Sequence, residues 1–192
     1  MVRATSNRAS SATRQGALLG AAFRDLHGAR VHGFALLVTL GEQARASNIA
    51  SDALAAGAEN AASLRHPERA AAWLRARVVA AAGHRTPKSR QASWAARRAA
   101  LGQLGADERT FAGLAALTVV ERAALVALDV EQLDSRDAEA ALGLSTAALE
   151  RVTTRARRRY AAAWIAAGDS SAPPEDGDLG RRVREAADRA LS

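Results

Sequence analysis

The sequence predicts an all-α protein, on three observations. Alanine, the strongest helix former, supplies much of the 48% hydrophobic content, whereas aromatic residues, which favour strands, make up only 4%. Apolar side chains recur three to five residues apart rather than alternating. Glycine and proline stand at the seams between these stretches. Alanine buries little area per residue, so thin cores are expected: two small helical domains joined by a basic linker.

Residues 1–16 carry Arg3, Arg8 and Arg14, no acid, and many Ser and Thr, a composition that predicts a disordered arm. A first helical domain is expected over 17–84, with breaks near Gly41 and at His66-Pro67. Within it Phe23, Leu26, Val31, Phe34, Leu37 and Val38 form one candidate buried face. Ile49, Ala53 and Leu54 form a second stripe, and Pro67 opens a helix through Trp73, Leu74 and Val78. Residues 85–113 hold six basic residues against two acids and read as a linker with partial helicity. Regular patterning returns over 114–168, and 169–192 form a tail with an acidic, Pro-rich break and a short helix, LGRRVREAADRAL.

The chain of 192 residues has a net charge of +7, from 26 Arg and the single Lys88 against 20 acids. That balance favours an anionic partner, nucleic acid before membrane, although Arg-rich codon usage would produce the same excess. With no cysteine, disulfides, thiolate metal sites and a cysteine nucleophile are excluded. The N-terminus lacks the apolar core of a signal peptide, and no apolar run approaches the roughly 20 residues that span a bilayer. A cytoplasmic protein without membrane insertion is expected. No Gly-rich phosphate loop, nucleophile–base pair or paired carboxylates point to catalysis. His27, His32, His66 and His84 do not sit at metal-ligand spacings, so neither a metal nor a cofactor is expected.

The richest segment lies between Thr118 and Tyr160. Thr118-Val-Val-Glu121 fits a capping box, opening a helix expected to bury Val120, Leu125 and Leu128. Ser135 is the expected N-cap of a short second helix with Asp137 in its first turn. Gly143 stands where a helix stops in left-handed conformation, and Ser145 caps a third helix. On that helix Leu149, Val152, Ala156, Tyr160 and Ala163 make a narrow apolar stripe. Arg151, Arg155 and Arg158 gather opposite. A solvated basic helix has the same pattern. The succession of short helix, Gly-x-Ser turn and long basic helix favours a helix-turn-helix aimed at DNA.

These residues carry a family resemblance. LTVVERAALVAL followed by DAEAALGLSTAALERVTTRARRRY resembles the promoter-reading fourth region of bacterial RNA polymerase sigma factors. The resemblance rests on Glu121-Arg122, on Ala140 to Ser145 at the turn, and on Arg155-Ala156. FRDLHGARVHGFALLVTLGEQARASNIASDAL resembles the second region of the extracytoplasmic-function type, and Pro67 to Leu74 its next helix. The resemblance implies a transcription initiation factor with promoter DNA and core RNA polymerase as partners, and an anti-sigma factor as a further one. It implies DNA contact by Thr146, Ala147, Arg151, Thr154, Arg155 and Arg158, and polymerase contact by Ser47, Asn48, Ser51 and Asp52. The chain departs from the pattern in several places. Ser47, Asn48 and Ser51 replace acids and a glutamine, RARVVAAAGH after Trp73 lacks base-capturing side chains, and Glu150 and Val152 stand where bases are usual. Two further readings therefore stand beside it: a helix-turn-helix regulator that no longer binds polymerase, and a protein-interaction module. Trp73 and Trp164 are expected in the core, and Trp94 either in a contact surface or partly buried. Glu175, Asp176 and Asp178 form an acidic approach to the tail helix, expected to screen the basic helix in the free protein.

Overall fold

Among the described residues, eight α-helices and one π-helical turn account for the regular structure, and there is no strand. The computed structural model describes residues 3–60, 67–84 and 92–168. The acidic break, the terminal helix and the start of the linker fall outside the described residues.

Helix α1 (Arg3–Val38) reaches back through the segment expected to be a disordered arm. Alanine and arginine propagate a helix well, and extension from a packed segment needs no new nucleation. The helix stops at Thr39–Gly41, where the Gly41 amide donates to the Leu36 carbonyl at 2.8 Å. Helix α2 (Gln43–Glu59) folds back against it, burying Ile49, Ala53 and Leu54 as expected. Phe23, Val31, Phe34, Leu37 and Val38 are buried, but Leu26 is 63% exposed. Leu26 and Val31 are five residues apart, about 140° around the helix, so both cannot face the same partner. His27 takes the inward position instead, its ring 4.7 Å from that of Phe23.

Helix α3 (Pro67–Ala82) buries Leu74 and Val78. Its end is satisfied from a distance, since Arg45 of α2 donates to the carbonyls of Ala82, at 3.0 Å, and His84. Within the expected linker stand α4 (Trp94–Gly102), capped by Ser93, and α5 (Glu108–Ala115), capped by Asp107. The boundary expected at 113/114 thus falls inside α5, which packs on the helix that carries Tyr160. Tyr160 lies on Gly113 at that crossing, so closely that a Cβ there would come within 2.5 Å of the ring.

Helix α6 (Val119–Leu125) starts at the expected capping box, both halves of which are formed, and runs into the π-helical turn Val126–Val130. Val120, expected inside, is 41% exposed because the box turns the Ala123–Ala124 side to the core. Helix α7 (Ser135–Leu142) is capped by Asp134 rather than Ser135, its carboxylate accepting from the Asp137 amide at 2.8 Å. Gly143 ends α7 at φ 64°, the left-handed conformation that a Cβ disfavours. Helix α8 (Thr146–Ala166) follows, with Ser145 at the N-cap position though without a side-chain cap bond.

The expected pair of separate cores is replaced by one. A continuous apolar cluster runs from Phe23 through Leu74 and Leu101 to Val126, Leu149 and Tyr160. Helix α3 packs along α7, and α1 meets α6. Buried polar contacts cross the same seam. Arg75, 4% exposed, donates to the Glu131 carboxylate and lies 5.7 Å from the Phe34 ring centroid. Arg97 of α4 pairs with Glu42. The guanidinium of Arg122 donates to the Val38 carbonyl at 3.0 Å and to Leu114 and Leu117 at 3.1 and 2.9 Å. Alanine-rich helices bury little area on a single face, so sharing one core removes more surface from water than two thin ones would. Among the described residues no helix is long and apolar enough to cross a membrane.

Candidate nucleic-acid interface

Helices α7 and α8 with the Gly143 turn between them form a helix-turn-helix seated on α6. From α8 the side chains of Leu149, Thr153, Ala156 and Tyr160 point into the core. Val152 and Ala163, expected in that stripe, are only partly buried. The inward face is centred slightly to one side of the expected line and takes in Thr153, a polar residue that apolar periodicity passes over.

All six residues assigned to DNA are exposed on α8. Ala147, Arg151, Thr154 and Arg158 form a central ridge, within about 60° of arc at 100° per residue. Thr146 and Arg155 stand on its two edges. The N-terminal amides of α8 open on the same end, which gives that end a partial positive charge.

The arginines divide into two groups. Arg155 Nε and Arg159 Nη1 each reach Glu121 at 2.8 Å. Arg157 Nε donates to Asp129 at 3.0 Å. These three brace α8 against α6 and the π-helical turn. Arg151 and Arg158 have no acidic partner among the described residues and are the cations left for a ligand. Arg155 is therefore a brace first; with its side chain 57% exposed, the outer edge of its guanidinium still faces the ridge side.

Glu121 is the pivot of the brace, a role that neither its place in the capping box nor the Glu121-Arg122 pair revealed in the sequence. It is 1% exposed, which by itself disfavours the charged form. The Thr118 amide at 2.9 Å, the Thr118 hydroxyl at 3.0 Å and the two arginines outweigh that burial. Together they hold the carboxyl at about 2, well below its ordinary range. Its neighbour Arg122 is lowered to about 10, chiefly by burial and then by Arg97, and remains a cation at neutral pH. The Glu-Arg pair on which the resemblance rests is thus internal. Glu121 faces α8, and Arg122 faces α1 and α5.

The four residues assigned to polymerase, Ser47, Asn48, Ser51 and Asp52, are exposed together on one face of α2. Ser47 Oγ lies 3.1 Å from His32 Nε2. Asp52 and, two turns further on, Glu59 are the acids exposed on that face of the described helix. Trp73 is partly buried and carries Arg77 5.0 Å from its ring centroid. Trp164 is likewise partly buried, under Arg109. Trp94 is 55% exposed, edge-on to Phe111 at 5.7 Å. No protein-family model, curated protein or solved structure matches this chain.

Proposed function

We propose that the chain is a sequence-specific DNA-binding transcription initiation factor of the sigma type, working in the cytoplasm and bringing core RNA polymerase to promoters. One observation carries the DNA half of this reading. A braced helix-turn-helix presents a ridge of small residues, Ala147 and Thr154, flanked by the uncommitted cations Arg151 and Arg158. A helix of 21 residues is about 31 Å long, against a major groove about 12 Å wide. Its first turns therefore meet base edges, and Arg158 and the residues beyond meet the phosphate rim. The polymerase half rests on the resemblance of two regions in the family's order, with the α2 face as the docking surface.

Run-off transcription with core polymerase over genomic fragments tests the whole reading. A specific start site is the expected result, lost in a variant carrying Arg151→Ala and Arg158→Ala. A second reading, a DNA-binding regulator that has left the polymerase, is favoured by two observations. The α2 face carries Ser47, Asn48 and Ser51 in place of charge, and the two halves share one core. Salt-dependent DNA binding without capture of core polymerase would select it.

A further inference from the structure

Glu150 has no place in the brace and no partner among the described residues. It is exposed in the second turn of α8, on the edge of the ridge opposite Arg155 and Arg159. One turn before it on that edge stands Thr146, and Arg157, about 10 Å further along, is committed to Asp129. A carboxylate so placed repels phosphates wherever it meets them. It gains affinity only from a hydrogen-bond donor, and within the groove the donors are few. Cytosine offers its N4 amino group and adenine its N6 amino group, the latter beside the acceptor N7 that opposes an anion. A carboxylate, which only accepts, therefore selects cytosine, whereas an amide that both donates and accepts selects adenine. The depth is also right, because the first turns of the inserted helix are those that reach base edges. Arg151, adjacent in sequence and on the ridge, carries the fork that matches guanine O6 and N7.

We infer that Glu150 is a specificity-determining residue of this helix, accepting a hydrogen bond from the N4 amino group of one cytosine while Arg151 reads a neighbouring guanine. This rests on α8 being the groove helix. Glu150 holds nothing together in the fold, so its variants keep the stability of the parent protein and differ only in what they select.

The experiment is selection from a randomised duplex library by the full-length protein, its Glu150→Gln and Glu150→Ala variants, and Arg151→Ala, with sequencing of the bound DNA. The parent protein should enrich cytosine at one position by on the order of tenfold or more. Glu150→Gln should move that same position to adenine, and Glu150→Ala should flatten it while leaving the others unchanged. Arg151→Ala should flatten a different, guanine-bearing position. Two outcomes overturn the inference while sparing DNA binding. One is selection that is indifferent to residue 150; the other is a Glu150→Ala variant that binds every sequence more tightly with unaltered preferences, the mark of a charge that only repels phosphate. Failure of the parent protein to enrich any sequence, with no salt-dependent binding to DNA, overturns the proposed function and this inference together.

Discussion

Replacing Glu121 with glutamine tests the brace beneath α8 most directly. Glutamine has the shape of a protonated glutamate, so the variant reproduces the state that the native carboxylate reaches only in acid. The carboxyl titrates near 4.5 in the unfolded chain and at about 2 in the folded protein. That depression corresponds to roughly 3 kcal/mol in favour of the ionised folded form, at about 1.4 kcal/mol per pH unit. Arg155 and Arg159 are half-exposed and screened by solvent, so the larger part comes from the Thr118 amide and hydroxyl, and 2–3 kcal/mol is the expected order of magnitude. A depressed folded value means that the stabilisation is fully present above about 4.5 and fades as the pH falls towards about 2. Urea unfolding followed by circular dichroism, on the parent protein and on Glu121→Gln across this range, checks the expectation. The two stabilities should differ by roughly 2–3 kcal/mol at neutral pH and converge in acid. A difference under about 1 kcal/mol at neutral pH, or one that stays constant as the pH falls, would refute the assignment of Glu121 as a buried anion held by Thr118 and α8.

Three other perturbations test neighbouring contacts. Arg122→Ala leaves the Val38 and Leu117 carbonyls without this donor across the seam; unfolding should be easier by about 3–5 kcal/mol, with a broadened transition as the two halves uncouple. Gly113→Ala puts a methyl group within 2.5 Å of the Tyr160 ring, and thermal unfolding should show a loss of about 1–3 kcal/mol as α5 and α8 move apart. Thr153→Val replaces a buried hydroxyl that has no hydrogen-bond partner among the described residues with a methyl group of similar shape. Stability measured by denaturant titration should rise by about 1 kcal/mol, and DNA binding should be unaffected because Thr153 faces inward.

The brace and the ridge also change how the arginines of α8 are understood. Periodicity groups Arg151, Arg155 and Arg158 as one basic face. The acids that pair with Arg155, Arg157 and Arg159 lie on α6 and the π-helical turn, brought beneath α8 by the fold, and it is the Glu121 contact that separates Arg155 from Arg151 and Arg158. Likewise Glu150 looks like a blemish in a basic helix until its exposure, its edge and its lack of a partner among the described residues are known.

Much of the local structure is determined by the sequence alone, because it depends on groups a few residues apart. The Thr118–Glu121 capping box, the left-handed stop at Gly143 and the break at Gly41 are each settled within about one turn of chain, and the outward ridge of α8 follows from the spacing along a single helix. Even the error at Ser135 is a shift of a single residue, between two adjacent side chains that can both cap. Contacts between remote segments were decided only by the tertiary structure. Nothing local tells Arg122 that the Val38 carbonyl will lie beside it, or Arg75 that Glu131 will. Nor does local pattern reveal that two alanine-rich halves, each able to bury little by itself, will close over one core. Those outcomes depend on which surfaces leave water together. That is a property of the assembled helices, and it turned the Glu121-Arg122 pair from a sequence signature into the joint between α8 and the rest of the protein.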